Sequence, residues 1–296
     1  MKLFVTGGTG FIGTGFVKEA VANGHQILGL ARSDDSAVAL EAAGAEVIRG
    51  DLEDLDVLRE GSKESEGVVH LGFIHDFANY QNSMEIDRRA VKAMLEILEG
   101  TDKFFANTGG LLSFPTKNGE VADESTKIAY EDGASLIRKL TERLALSYID
   151  KGVRVVSVRL APTVHGKGDH AFIPRLLDNA KNNSKSYYVG DGDNVWPAVH
   201  RDDAAVLYRL AAEKAPAGST LHAAAEVVST KKIAMAISKA ASVPVGSISS
   251  NQATEKLGFL GTFFQVNADV SSEKTKNLLG WAPTGLDLLS DINENY

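Results

Sequence analysis

The chain of 296 residues contains no cysteine and has only 7 prolines and 2 tryptophans. Without cysteine, disulfides, thiolate metal sites, iron–sulfur clusters and a cysteine nucleophile are all excluded. No uninterrupted apolar run approaches the 18 residues or so that a transmembrane helix needs, and the short apolar stretch at residues 3–5 is not a signal peptide. We therefore expect a soluble, cytoplasmic protein.

Positive charge is also scarce. The chain has 31 lysines and arginines against 39 aspartates and glutamates, a formal net charge of −8. A chain this acidic has no general electrostatic attraction to nucleic acid or to an anionic membrane, so we expect a small-molecule substrate instead. The histidines and acidic residues show no His-x-His or His-Glu-x-x-His spacing, so no metal site is predicted.

Short apolar runs alternate with segments of helical periodicity over the first 160 residues. Apolar runs bounded by glycine are typical of strands that are buried on both faces, and apolar residues at spacings of three and four predict helices. The predicted strands are 2–6, 26–31, 45–49, 67–73, 103–107 and 153–160, and the predicted helices are 11–22, 36–43, 54–60, 85–98 and 135–150.

This alternation predicts an α/β fold of the Rossmann type, a doubly wound parallel sheet with right-handed crossovers. Residues 1–170 are predicted to form the nucleotide-binding domain. Residues 171–296 are predicted to form a smaller C-terminal substrate lobe in the same compact unit, with the helix at 201–213 packing back on the first domain.

The segment TGGTGFIG at residues 6–13 lies between the first predicted strand and the first predicted helix. One glycine turns the chain after the strand, one lets a pyrophosphate approach the backbone, and one lets the helix pack on the strand. The helix N-terminus then offers N–H groups to the phosphates. The segment predicts a dinucleotide site whose contacts are Gly7, Thr9, Gly10, Phe11, Ile12 and Gly13.

The end of the second strand indicates which nicotinamide cofactor binds. Sites that prefer NAD carry a carboxylate there for the ribose 2′-hydroxyl, whereas this chain has Arg32 and Ser33. An arginine fork and a hydroxyl suit a 2′-phosphate, so NADP(H) is predicted over NAD(H). We expect the adenine beside Asp51 and Leu52, and the ribose and diphosphate along Leu71, Gly72 and Phe73.

Six segments together resemble the short-chain dehydrogenase/reductase superfamily, in its extended or atypical form of NAD(P)-dependent epimerase/dehydratase-like oxidoreductases. The resemblance implies hydride transfer at a nicotinamide, which the segment after the sixth strand wraps with Pro162 and Val164. It also implies a possible homodimer through helices that flank the fourth and fifth strands. The segments are TGGTGFIG (6–13), GDLED (50–54), VVHLGF (68–73), VRLAPTVHGKG (158–168), PAVHRDDAA (197–205) and LLGWAPT (278–284).

The chain departs from this family at the Tyr-x-x-x-Lys pair, because none of its seven tyrosines is followed four residues later by lysine. Counting back from Glu142, which matches the family's trailing glutamate, puts Arg138 at the lysine position and Ala134 at the tyrosine position. Arg138 can hold the nicotinamide ribose, but an arginine stays protonated and cannot relay a proton. A register shifted by one residue pairs Lys139 with Ser135 instead.

Four residues are candidates for the proton-transfer chemistry. Thr108 follows the fifth predicted strand and offers a hydroxyl to a carbonyl substrate, unless the family position falls on Gly109. The other candidates are His75, His165 and Tyr130, because a histidine with a pKa near neutrality or a tyrosine hydroxyl can protonate an alkoxide. For each of them the alternative is a packing or hydrogen-bonded loop residue.

These observations predict an NADP(H)-dependent oxidoreductase that acts on a carbonyl or hydroxyl group of a small molecule. Two alternatives stay open. One is a sugar-nucleotide epimerase or dehydratase, which the family includes. The other is a non-catalytic NADP(H)-binding redox sensor, which the missing Tyr-x-x-x-Lys pair favours.

Overall fold

The computed structural model describes residues 1–76, 79–117, 119–127 and 136–296. Among the helices in these ranges, none has the length and apolarity that crossing a bilayer requires. The strands are β1 (Lys2–Thr6), β2 (Gln26–Ala31), β3 (Glu46–Arg49), β4 (Gly67–His70), β5 (Phe104–Gly110), β6 (Arg154–Leu160), β7 (Thr163–His165), β8 (Ser186–Val189), β9 (Val195–His200), β10 (Thr220–Ala223), β11 (Glu226–Ser229) and β12 (Val245–Ile248). The α-helices are α1 (Phe11–Ala22), α2 (Asp34–Ala42), α3 (Leu55–Glu64), α4 (Tyr80–Leu98), α5 (Leu136–Leu146), α6 (Phe172–Asn182), α7 (Arg201–Lys214), α8 (Thr230–Ala241), α9 (Ala253–Leu257), α10 (Leu260–Phe263), α11 (Glu273–Leu279) and α12 (Leu288–Asn295).

Seven strands form the central sheet in the order β10-β6-β5-β4-β1-β2-β3. Every neighbouring pair is parallel. The direction of strand order reverses between β1 and β4, and ligands of open α/β sheets bind in the crevice at the carboxyl ends of such strands. The predicted Rossmann-type fold is confirmed. The sequence patterns predicted six of the seven strands and missed β10, which is only four residues long.

The burial of the strands explains why the apolar runs predicted them so well. In β1, Leu3 and Val5 pack in one core with α1 and α7, and Phe4 between them packs in a second core with α3 and α4. A strand covered by helices on both faces reads as a continuous apolar run. At the edge of the sheet, β3 has the sequence EVIR and is exposed at both of its charged ends.

The observed ends of β4 and β5 differ from the predicted ends, because the length of the neighbouring strand sets where each of them stops pairing. Strand β4 stops at His70, three residues early, because its partner β1 ends opposite at Thr6 and turns into the glycine segment. Strand β5 instead continues to Gly110, because β6 stays beside it as far as Leu160. Its polar residue Thr108 therefore lies inside a strand, and the apolar pattern gave no sign of this.

The last third of the chain contributes both to the C-terminal lobe and to the central sheet. A three-stranded sheet (β11-β9-β7) and a two-stranded sheet (β12-β8) surround a separate core that contains Trp196, Ile233 and Phe264. Helix α7 and strand β10 return to the central sheet, where Tyr208 packs in the same core as Phe16. The division at residue 170 stays a prediction.

Candidate functional site

The glycine segment joins β1 to α1 at the reversal of strand order, and its backbone leaves no room for side chains. Gly7 has a φ of 70°, and a Cβ built on it would lie 2.6 Å from the nitrogen of Gly72. A Cβ on Gly13 would lie 2.0 Å from the Gly7 carbonyl oxygen. Helix α1 begins after Gly10, which has no side chain with which to cap it. The first N–H groups of α1 are therefore available to an anion, and the cradle fits a nucleotide diphosphate.

A chain of buried polar groups forms the floor of this crevice. The Thr6 hydroxyl accepts the Gly72 N–H at 3.1 Å and lies 2.7 Å from His70 Nδ1, and His70 Nε2 lies 3.1 Å from the Asp87 carboxylate. A carboxylate only accepts, so His70 donates from Nε2 to Asp87; in the tautomer with its single proton on Nε2, the Thr6 hydroxyl donates to Nδ1. The chain ties the ends of β1 and β4 to α4. Sequence reasoning missed the role of His70; the signal was a histidine at the end of an apolar strand, which needs partners when buried.

Thr108 lies next to this floor, near the carboxyl end of β5. Its hydroxyl donates to the His70 carbonyl oxygen at 2.7 Å and lies 2.8 Å from the Tyr208 hydroxyl. Tyr208 is fully buried, and burial raises its pKa. Since the Thr108 proton is committed to His70, the Tyr208 hydroxyl donates to Thr108. This geometry assigns Thr108 a positioning contact, and to donate to a substrate it must first release the His70 carbonyl.

Arg138, on the first turn of α5, connects Thr108 to the loop that follows β4. Its guanidinium donates to the Thr108 carbonyl oxygen at 3.1 Å and lies 4.3 Å from the centre of the Phe73 ring. The His75 ring lies 5.0 Å from the same Phe73 ring, edge to face. The structure thus brings together Thr108, Arg138, Phe73 and His75. Tyr130, the fourth catalytic candidate, lies outside the described residues, as do Ala134 and Ser135.

His75 lies in a positive environment. His75 keeps part of its surface exposed. Its partial burial lowers its pKa, and the charges of Arg138, His170 and Arg175 lower the pKa further. A histidine with a lowered pKa is a stronger acid when protonated, and it is neutral over more of the physiological range.

A buried ion pair holds α5 in place. Arg159 donates from Nε to the Glu142 carboxylate at 2.9 Å, and both side chains are only 4% exposed. Ser157 donates to the same carboxylate oxygen at 2.7 Å. Because Glu142 stands one helical turn after Arg138, the pair fixes the register of α5 against β6. It thereby sets where the Arg138 guanidinium lies.

The segment after β6 is more interior than the sequence analysis expected. His165 is 1% exposed, and its Nδ1 lies 2.7 Å from the Asp291 carboxylate. Burial lowers the pKa of His165 despite that carboxylate. His165 therefore connects β7 to α12. This position does not favour its expected role as proton donor, because a proton donor needs an open path to a ligand. The Val164 side chain packs in the core, so only its backbone can face a cofactor, whereas Pro162 is half-buried.

Arg32 is exposed at the adenine end of the crevice, directly after β2. The Ser33 hydroxyl caps α2 by accepting the Ser36 N–H at 3.2 Å. Sequence reasoning missed Arg49, the last residue of β3. It pairs with Ala31 in the sheet, and its guanidinium contacts the Ser33 carbonyl oxygen and the Asp34 carboxylate. A neighbouring strand thus adds a second arginine to this end.

The residues expected beside the adenine are partly used by the turn itself. The Asp51 carboxylate accepts the N–H groups of Glu53 at 2.8 Å and Asp54 at 3.2 Å. The Leu52 side chain is half-buried and lies over Gly72, so the segments that follow β3 and β4 are in contact beside the phosphate turn. At the start of α1, the Phe11 ring lies 5.4 Å from the Arg201 guanidinium and 6.1 Å from the His170 ring.

Comparison with known proteins agrees with this geometry. Residues 3–224 match the NAD dependent epimerase/dehydratase family. Since the match covers well over half of the chain, the chain belongs to this family, and the resemblance derived from the sequence motifs is confirmed. The family depends on a nicotinamide dinucleotide, which the cradle at Gly7 and Gly13 fits.

Three similar proteins illustrate the range of the family. The chain is 46% identical over 299 residues to an uncharacterized protein of Saccharomyces cerevisiae, covering 100% of this chain and 99% of that protein. It is 27% identical over 224 residues to the 4-hydroxy-2-methyl-3-oxo-4-farnesyl-3,4-dihydroquinoline-1-oxide ketoreductase of Stigmatella aurantiaca, covering 74% of this chain and 66% of that protein. The dTDP-glucose 4,6-dehydratase of Streptomyces venezuelae, solved with NAD bound, superposes with a TM-score of 0.81 at 18% identity, covering 100% of this chain and 95% of that chain. At that identity the likeness concerns the fold.

Proposed function

We propose that this protein is an NADP(H)-dependent reductase of a carbonyl group on a small molecule. The observation that carries the proposal is that the glycine cradle and the group of Thr108, Arg138, Phe73 and His75 lie at the same reversal of strand order. One part suits a dinucleotide diphosphate, and the other provides a cation and an acid where the nicotinamide half would end. The similarity to a named ketoreductase supports the same class of reaction.

Each residue has a distinct task in this proposal. The first N–H groups of α1 hold the diphosphate, and Arg138 holds the nicotinamide ribose while Thr108 and Glu142 fix its position. When bound, the cofactor supplies a hydride to the carbonyl carbon. His75 supplies the proton to the carbonyl oxygen, and the contact of both His75 and Arg138 with the Phe73 ring supports this role. The protein's remaining contribution is orientation and exclusion of water.

Two arginines support NADP(H) over NAD(H). Arg32 is exposed after β2, and Arg49 reaches the same turn from β3. A 2′-phosphate at this turn would gain charge-assisted hydrogen bonds from both guanidiniums. Arg49 contacts the Asp34 carboxylate, and a bound phosphate dianion would compete with that carboxylate for Arg49.

The test combines binding with turnover. Calorimetric titration of the purified chain should show that NADPH binds more tightly than NADH, and that Arg32→Ala reduces this preference. NADPH oxidation should then follow with members of a panel of aldehydes and ketones. Equal binding of both cofactors would overturn the NADP(H) preference. Tight binding without turnover of any carbonyl compound would overturn the reductase and favour the redox sensor.

The family membership itself keeps the epimerase/dehydratase alternative in the test. Such a reaction uses the nicotinamide transiently and returns it to its first oxidation state. Conversion of a sugar nucleotide with no net change in NADPH absorbance would therefore favour this alternative over the reductase. We rank it second because that reaction needs a strong base on the sugar hydroxyl. With Glu142 at the family's glutamate position, the lysine position falls on Arg138, which cannot relay a proton.

A further inference from the structure

A patch of aromatic side chains borders the proposed site on the side of the C-terminal lobe. The aromatic patch consists of Phe172, Phe259 and Phe263, whose ring centres lie 5.8 to 6.4 Å apart. All three side chains are half-buried. Aromatic rings that are packed on one another but still reach the surface are typical walls of an apolar binding site.

Two chain segments connect the aromatic patch to the site. Phe172 begins α6, directly after the segment that the resemblance assigns to the nicotinamide. Leu112 comes four residues after Thr108 and packs partly buried against the same core as the patch. The aromatic patch is therefore connected to the proposed site through the start of α6 and through the segment after β5.

Arg175 places a positive charge on this patch. It stands one turn after Phe172 on α6, is exposed, and its guanidinium lies 5.5 Å from the centre of the Phe259 ring. The charge of Arg175 also reaches the proposed site, because it helps to lower the pKa of His75, after burial and the charges of Arg138 and His170. A chain with a net charge of −8 thus concentrates cations at this one edge of the crevice.

Another cation lies where the phosphates would bind. The Arg201 guanidinium lies 5.4 Å from the centre of the Phe11 ring at the start of α1. Arg175 lies instead against Phe259, on the aromatic patch. A guanidinium held over an aromatic ring is a common way to bind a carboxylate next to an apolar group.

We propose that the substrate is a carbonyl compound with a carboxylate and an apolar or aromatic body, in which Arg175 binds the carboxylate and the aromatic patch contacts the body. The inference rests on the proposed reductase function, since it places the substrate in that same site. Arg175 is a specificity-determining residue in this proposal, and it has no part in hydride or proton transfer.

The experiment compares two probes that differ only in charge, 4-acetylbenzoate and 4-acetylbenzamide, by calorimetric titration of the NADPH-loaded chain. We expect the wild-type protein to bind the carboxylate about 10-fold more tightly, as a charge-assisted pair provides. Arg175→Gln should bring the two affinities to within twofold, and Arg175→Lys should keep part of the difference. Phe263→Ala should weaken both probes alike, because it removes apolar contact only.

The control is Lys181→Gln, which removes an exposed cation from the other end of α6 and should leave the preference unchanged. NADPH affinity should stay within twofold of wild type in every variant. Equal affinity of the two probes for the wild-type protein, including no binding of either, would overturn the proposal, and so would a preference that survives Arg175→Gln. If NADPH itself fails to bind, the proposed function fails on its own, and the same titrations on nucleotide-free protein decide the carboxylate question separately.

Discussion

The two sides of the crevice differ in composition: backbone atoms form one side, and side chains form the other. The phosphate side consists of backbone. Gly7 lies against the backbone of Gly72, and Gly13, six residues later, lies against the backbone of Gly7. The side on which we propose catalysis and substrate binding consists of side chains from distant segments, such as Arg138, Arg159 and Arg175. A backbone cradle imposes fixed spacing on the sequence, whereas a side-chain cluster requires only that the fold bring its members together. The first side is therefore recognisable in a sequence and the second is not.

Breaking the ion pair on the side-chain side should have the largest effect. Arg159→Met leaves the Glu142 carboxylate buried without its cation, so we expect the free energy of unfolding to fall by about 4 kcal/mol. Urea denaturation followed by circular dichroism measures it. Arg59→Met, which removes an exposed partner of Asp56, is the matched control and should cost at most about 1 kcal/mol. A similar small loss in both variants would contradict the assigned role of the buried pair.

On the backbone side, Gly13→Val should have the next largest effect. The valine Cβ would lie 2.0 Å from the Gly7 carbonyl oxygen, so α1 must move away from β1. The first N–H groups of α1 would then no longer point at the diphosphate. We expect NADPH affinity to fall about 300-fold, or about 3.4 kcal/mol, by calorimetry. Gly110→Ala is the control, because its Cβ would meet nothing within 4 Å. Wild-type affinity in Gly13→Val would show that the cradle is not the phosphate site.

His75 tests which residue on the catalytic side transfers the proton. His75→Gln keeps a polar side chain but no titrating group, and we expect kcat/KM for carbonyl reduction to fall about 100-fold. Because the pKa of His75 is lowered from 6.5 by burial and by Arg138, the acid form accumulates only as the pH falls below 6.5. In the wild-type protein kcat/KM should therefore rise as the pH falls through that range, and the rise should vanish in His75→Gln.

Tyr130→Phe is the companion variant for this prediction. If the tyrosine variant loses activity while His75→Gln keeps both its rate and its pH dependence, the proton comes from Tyr130. Both variants should bind NADPH as the wild-type protein does, which separates a catalytic effect from a loss of folding.

Substitution of Arg49, at the turn after β2, should have the smallest effect of the four. Arg49→Ala removes one of two guanidiniums at the β2 turn, so we expect NADPH affinity to fall about 5-fold, near 1 kcal/mol. NADH affinity should not change, because NADH has no 2′-phosphate. Arg59→Ala provides the control for a surface arginine. A parallel loss for both cofactors would indicate that Arg49 only supports the turn.

The sequence predictions were accurate for features set by local pattern and failed for features set by contacts between distant segments. Strands β1, β2 and β6 were predicted to within one residue because both of their faces are covered and their apolar runs are continuous. The prediction failed where a neighbouring strand decides the end of a strand, as at His70 and Thr108, and it missed β10. The glycine turn was located from its spacing. Arg49 was missed because its position beside Ser33 depends on the pairing of β3 with β2.

The sequence by itself determined the doubly wound sheet and the cradle for a dinucleotide, because helix periodicity, apolar runs and glycine spacing are local patterns of the chain. Only the tertiary structure decided the partners of the polar side chains. It joined Glu142 to Arg159, buried His165 against Asp291, which is 126 residues away, and left His75 with Arg138 beside the crevice. Hydrogen bonds and ion pairs act over a few ångströms in space, whatever the distance along the chain, so no local pattern records them.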